Sequence, residues 1–187
     1  ALSVVEASDV GGSDSVTISA PSYSFDAVDG ATAAVSYNLA LSGGAATGLQ
    51  TTDGNHAISL VQVNATTING VYNGGQVAFT VALVGNQVTL TSLVALEHAN
   101  GPQNTEDNSL DLGSLINVVA TVTVTDGDND QVIDSSSAVA PLSLTISDTD
   151  PSLSVTGAPS FGALSVVEAS DVGGSDSVTI SAPSYSF

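Results

Sequence analysis

Twenty-five consecutive residues occur twice in this chain. ALSVVEASDVGGSDSVTISAPSYSF runs from Ala1 to Phe25 and returns, letter for letter, from Ala163 to Phe187. The copies are offset by 162 residues (163 minus 1). Identity over so long a block marks one period of a tandem array with the opening of the next unit attached. A period of about 160 residues is one domain with room for a full core. Repetition of a whole domain suits a long, mechanical protein better than an enzyme.

Within one period the pattern is all-β. Leu2 and Val4, then Val16 and Ile18, alternate with polar neighbours. Val35, Tyr37, Leu39 and Leu41 form a longer period-two run, Ile58 to Val63 a shorter one, and Val77, Phe79, Val81 and Leu83 another. Gly85-Asn86 separates that last run from Val88 and Leu90, which is a hairpin signal because Gly and Asn tolerate positive φ. Two more alternating runs follow, Val118 to Thr125 and Leu142 to Ser147. Alternation buries one face of each strand and wets the other, as antiparallel sandwiches require. No stretch keeps a 3.6-residue period, although Ser109–Asn117 has the composition for a helical turn. The expected fold is therefore an antiparallel β-sandwich of eight or more strands.

The unit boundary is expected at Ser147-Asp148-Thr149-Asp150-Pro151, since proline cannot donate to a ladder and restricts the residue before it. Residues 1–150 then form a sandwich unit entered about one strand late, so that it lacks its first strand. Residues 151–187 are the opening strands of the next unit. A few strands bury too little to stand alone. The tail is thus expected either to pair with a neighbouring copy, head to tail or by strand addition, or to replace the missing first strand of its own unit.

Charge narrows the function further. There is no Lys and no Arg against 19 Asp and Glu. Such a chain cannot neutralise a phosphate backbone or an anionic lipid surface, which excludes nucleic acid and polybasic membrane contact. No apolar run is long enough for a membrane helix, so direct insertion is not expected. Self-repulsion among the carboxylates has no protein cation to offset it beyond two histidines, and dissolved Ca²⁺ is the natural counter-charge. The absence of Cys removes disulfides and thiolate metal sites, leaving the stapling role to Ca²⁺ in an extracellular setting.

Two acidic clusters are candidate calcium ligands. The first is Asp126-Gly127-Asp128-Asn129-Asp130, with Asp134 beyond it; alternate Asp residues in a turn aim oxygens at one hard cation. It is not an EF-hand, because that loop's sixth position falls on Gln131 and its twelfth on Ser137. The second is Asp148 and Asp150 in the presumed linker, completed by Glu168 and Asp171 in the second copy or by Glu6 and Asp9 in the first. Solvated acidic turns are the bland reading of both.

Catalysis has little support. His56 and His98 lie in polar surroundings without a nucleophile in a recognisable context, and no G-x-S-x-G occurs. Each reads as a loop or strand-end residue making a hydrogen bond. Paired carboxylates lack a Trp platform for a sugar. Asn64-Ala65-Thr66 formally fits a glycosylation acceptor. Thr121, Thr123 and Thr125 would present a row on one face, as ice-binding surfaces do, but an ordinary solvent-facing strand is the better reading.

The stretches VVATVTVTDGDND and LSLTISDTDPSLSV, with Gly48 to Gly54 and Ala95 to His98 upstream, resemble the tandem modules of giant type I-secreted bacterial adhesins of the RTX class. Those modules carry a T-D-G-D-G-D-like turn and close on D-x-D-P; this chain departs at Asn129, where Gly is usual. The resemblance implies an immunoglobulin-like extender module at the bacterial surface, exported unfolded and rigidified outside by Ca²⁺. A glycan- or ice-binding module of such a surface protein is the alternative.

Overall fold

The computed structural model describes residues 1–6, 12–98, 109–113, 115–135, 138–148, 153–164, 177–181 and 185–186. The chain divides into two compact units, Ala1–Thr149 and Asp150–Phe187. The first is all-β, a sandwich whose core draws on every alternating run seen in the sequence.

One layer is a six-stranded antiparallel sheet. In chain order its strands are β2 (Ser13–Thr17), β4 (Ala46–Gln50), β5 (Ala57–Asn64), β6 (Thr67–Tyr72), β7 (Gln76–Val84) and β8 (Gln87–Ser92). Their spatial order is β2-β8-β7-β6-β5-β4. The β7–β8 hairpin closes through Gly85-Asn86, with Val84 opposite Gln87. Only Gly85 uses a positive φ there, at 60°, so Asn86 serves a different purpose: its Nδ2 donates to the Ile18 carbonyl at 3.3 Å.

Opposite lie β3 (Thr32–Leu41) and β10 (Ile116–Thr125), paired antiparallel over their whole length from Leu41–Ile116 to Thr32–Thr125. Two short strands, β11 (Gln131–Asp134) and β12 (Val139–Pro141), share β10's other edge. A three-stranded sheet in the order β1-β13-β9 completes the unit, from β1 (Leu2–Val5), β9 (Ser109–Asp111) and β13 (Leu144–Ser147). The β1–β13 pair is parallel, with Leu2 beside Leu144 and Val4 beside Ile146. Parallel neighbours need a long connection, and here nearly the whole unit supplies it by bringing its first strand beside its last. The described residues of Ser109–Asn117 form no helix. Ser109–Asp111 pairs with β13 and Ile116 opens β10, because the exchange of ladder hydrogen bonds with two waiting edges outweighs a weak local preference.

Both layers feed one contiguous core. Ile58, Leu60, Ile68, Phe79, Val81, Val88 and Leu90 come from the six-stranded sheet; Leu39, Ile116, Val118, Leu144, Ile146, Leu2 and Val4 face them. Each such side chain contributes about 1.5–3 kcal/mol of transfer free energy. Within the core, alternation is interrupted at β7. The β6–β7 register shifts between Gly70 and Val71, so Ala78 and Phe79 are both fully buried though adjacent. A bulge inserts one residue and turns the next side chain inward. Gly70 makes the room: a Cβ there would lie 2.3 Å from Phe79 Cε1.

The second unit is slight. β14 (Ser154–Val155) pairs antiparallel with β15 (Tyr185–Ser186), and Ser160 bridges to Ser181. None of its residues with a described side chain is buried.

Candidate functional site

Two groups of metal-capable side chains assemble among the described residues. The first is the turn between β10 and β11. Asp126 follows the long β10 strand, and its N–H donates to the Asp130 carbonyl at 3.2 Å; the Asn129 N–H returns to the Asp126 carbonyl, also at 3.2 Å. The Asp130 N–H donates to Asp126 Oδ1 at 2.9 Å. These bonds fold the turn so that carboxylate oxygens of Asp126, Asp128 and Asp130 lie within 4.8 Å of one another. A side-chain hydrogen bond with Asp128 holds the Asp126 carboxyl below its ordinary range, helped by the backbone N–H groups of Asp130 and Asp128. The sharpest backbone bend falls at Asn129, φ 71°. Asn is among the few side chains that adopt this left-handed region readily, which explains how it stands where the resembling modules have Gly.

Gly127 has another role. It keeps an ordinary φ, but a Cβ there would sit 2.6 Å from the Asp29 carbonyl oxygen and 3.2 Å from Asp29 Oδ2. The missing side chain lets a short 3₁₀ turn, Val28–Gly30, press its carboxylate against the loop. Asp29, itself at φ 53°, is therefore a neighbour that spacing along the chain did not point to. An acidic residue before Gly was the only signal. Asp134 lies further along β11, opposite Val122; it is not in the close group, although it lines the same cleft as Asp126 and Asp130. That cleft, of about 570 Å³, is floored by Val122 and Val124 and walled by Tyr23, Phe25 and Val28. The rings of Tyr23 and Phe25 stack with centroids 6.4 Å apart.

The second group is largely buried. Glu6 continues from β1, its N–H donating to the Ser147 carbonyl at 2.8 Å, and Asp148 continues from β13 beside it. The chain segment carrying Leu96 to His98 packs against this end. Glu6 Oε2 accepts the Leu96 N–H at 2.6 Å and lies 3.5 Å from His98 Nε2. Glu6 is 7% exposed and His98 9%, and ligand atoms of Glu6, His98 and Asp148 fall within 4.8 Å of one another. Burial pushes the Glu6 carboxyl up. The Leu96 N–H and His98 act against that rise, and Asp148 adds to it through its charge and a side-chain hydrogen bond. With no Lys or Arg in the chain, His98 is the basic side chain that the described residues bring beside these carboxylates.

The donor sets differ in chemistry. The turn offers oxygen alone, which fits a hard cation such as Ca²⁺. The buried group mixes two carboxylates with an imidazole, and imidazole nitrogen suits Zn²⁺ and its neighbours better; its fit to Ca²⁺ rests on Glu6 and Asp148. Asp9, Asp150, Glu168 and Asp171 lie outside the described residues. Sequence alone reads His98 as a loop or strand-end residue, and the fold brings it to Glu6. His56 keeps that simpler reading: its N–H donates to Thr51 Oγ1 at 3.2 Å and its ring stacks on Tyr72 at 6.1 Å. Thr121, Thr123 and Thr125 are half-buried at the centre of the β3–β10–β11 sheet. No helix among the described residues is long and apolar enough to cross a membrane.

The family model described as "Domain of unknown function (DUF5801)" matches residues 3–138. The chain belongs to that family. No curated protein and no solved structure matches it.

Proposed function

We propose that this DUF5801 member is a structural extender: one immunoglobulin-like unit of a tandem array in a large extracellular, calcium-dependent adhesin or fibre of the bacterial surface. The observation that carries the reading is the gathering of carboxylates in a chain without Lys or Arg. Asp126, Asp128 and Asp130 converge at one turn, and Glu6 meets Asp148 just beyond the end of β13. Each gathering sets like charges together at a cost that Ca²⁺ would offset. Ca²⁺ at the turn would lock β10 to β11 and hold the Asp29 turn; Ca²⁺ at Glu6 and Asp148 would stiffen the exit from the sandwich. The 162-residue repeat supplies the reason for stiffness, because a spacer must project what it carries.

The test is small-angle scattering of a two-unit protein in millimolar Ca²⁺ and after chelation. A rod that becomes flexible or expanded on chelation supports the extender. Identical profiles in both conditions refute it. A ligand-binding module is the second reading, favoured by the cleft in which Tyr23 and Phe25 stand beside the acidic turn. A glycan array on the whole chain, positive only with Ca²⁺ and silenced by Tyr23→Ala, would prefer it.

A further inference from the structure

The two identical blocks stand in unlike surroundings. In the first, Leu2 is fully buried and Val4 nearly so, laid parallel on β13 and anchored by the Leu2 N–H to the Ser143 carbonyl at 2.9 Å. The same block's β2 runs antiparallel on β8, with Val16 opposite Val88 and Thr17 opposite Gln87. Ser15 and Thr89 join hydroxyls at 2.7 Å, and the Ile18 N–H donates to the Asn86 carbonyl at 2.7 Å. In the second block Leu164 stands where the first has Leu2, and Ile180 where it has Ile18. Leu164 is 63% exposed and Ile180 65%.

The cradle that holds the first block is made of two sheet edges. β1 is the end strand of its three-stranded sheet and β2 the end strand of the six-stranded one. Either can leave without breaking any other ladder, and its departure bares β13 and β8. Whatever complementarity those edges have for residues 1–25 they have equally for residues 163–187, since the two are chemically the same. Only connectivity separates them. We infer that the β13–β8 cradle is a docking site for residues 163–187 of a second copy of this chain, exchanged for its own first block.

The balance follows from that identity. Exchange buries one block and frees its twin, so the cradle contacts cancel; what opposes exchange is tethering and the tail's own slight β14–β15 and Ser160–Ser181 pairings. The native block is tied to β3 by the short segment between Thr17 and Thr32. A short flexible tether sets an effective concentration in the ~mM range. Exchange between free chains at ~0.1 mM therefore occupies about a tenth of cradles, and more where copies are crowded. Donor and acceptor are different surfaces, so the contact closes where two copies exchange tails reciprocally and grows into open chains where each tail enters a further copy. None of this requires Ca²⁺ or the extender reading.

The absence of Cys makes trapping clean. The full chain carrying Thr179→Cys and Gln87→Cys would be oxidised at about 0.1 mM, in Ca²⁺ and in chelator, and resolved on a non-reducing gel. Thr179→Cys with Val61→Cys, on an exposed strand remote from the cradle, reports random collision; Thr17→Cys with Gln87→Cys verifies the register. The expected result is a ladder of covalent multimers about ten-fold above the Val61 control, fading as free peptide of residues 163–187 is added in excess. Equal yields at Gln87 and Val61 would overturn the inference. So would a fast-running intrachain product from Thr179→Cys/Gln87→Cys with no ladder, since the tail would then be docking on its own unit. Circular dichroism of each variant before oxidation confirms that these exposed substitutions leave the fold in place.

Discussion

Replacing Glu6 by Gln should have opposite effects on stability with and without Ca²⁺. In the chelated protein a buried carboxylate at this site faces Asp148 and has given up water; burial raises its carboxyl, and Asp148 raises it further. Gln keeps the shape, accepts the Leu96 N–H in place of Glu6 Oε2, and turns an amide N–H toward Asp148 where Glu6 turned a charge. A neutral isostere that satisfies its neighbours is neutral or stabilising at a buried ionic site, here by about 1 kcal/mol, the net scale of one ordinary hydrogen bond. With Ca²⁺ bound between Glu6 and Asp148 the sign reverses. A ligand at a hundred times its dissociation constant stabilises the folded state by ~2.7 kcal/mol, and losing one of two charged ligands removes most of that. Urea unfolding followed by circular dichroism, at pH 7.5 in chelator and in millimolar Ca²⁺, reads both arms. The pH series adds a sign test. The folded protein holds the Glu6 proton above the ordinary value of 4.5, so it binds more protons than the unfolded chain through that window. The contribution is fully present below 4.5 and is lost as pH rises through the folded value. Glu6→Gln should flatten this slope in chelator. Equal destabilisation by Glu6→Gln in chelator and in Ca²⁺, with an unchanged pH slope, would refute the reasoning.

Other perturbations act on single contacts. Gly70→Ala places a methyl 2.3 Å from Phe79 Cε1 in the fully buried centre of the core, and overpacking of this kind costs about 1–3 kcal/mol; an unchanged urea midpoint would show that the bulge yields freely. Gly127→Ala collides with the Asp29 carbonyl and should push the Val28–Gly30 turn away, weakening Ca²⁺ binding measured by calorimetry while leaving the β3–β10 core intact. Asp128→Ala removes the side-chain hydrogen bond that does most to hold the Asp126 carboxyl down; Asp126 should titrate higher by NMR, and Ca²⁺ affinity at the turn should fall. Asn129→Val puts a β-branched side chain at φ 71° and should cost about 1–3 kcal/mol, whereas Asn129→Gly should be tolerated.

Strand positions were readable because period-two alternation reports one buried face, and Leu39, Val81, Leu90 and Ile146 all point where that pattern sends them. What alternation cannot report is pairing across the chain. The parallel β1–β13 contact joins residues about 140 apart, and no local signal announces it. The bulge at Ala78 was hidden for a related reason: it is a register shift against β6, a property of two strands together. The acidic turn was visible because its ligands are consecutive in sequence. His98 was not, since its meaning depends on Glu6, which lies on the unit's first strand and reaches it only after the sandwich has closed. Asp29 stayed hidden because the feature that admits it is an absent side chain on Gly127.

The duplicated block carries the argument one step further, because it removes amino-acid identity as a variable. Leu2 and Leu164 have the same 24 companions in their blocks, yet one is sealed against Leu144 and the other is open to solvent. Propensity, pattern and charge are equal at the two positions, so burial here is conferred by the edges of β13 and β8 and not by the block itself. A strand that depends on a receptor in this way is specified only as far as the receptor is unique, and in a tandem array every unit offers the same one. Correct assembly then rests on tether length: each block must find the cradle nearest in sequence before it finds an identical cradle nearest in space. Lengthening the segment between Thr17 and Thr32 should lower the effective concentration of the native block, roughly as the −3/2 power of its length, and raise the trapped multimer in proportion. A yield indifferent to that length would mean that something other than tethering keeps the first block in place.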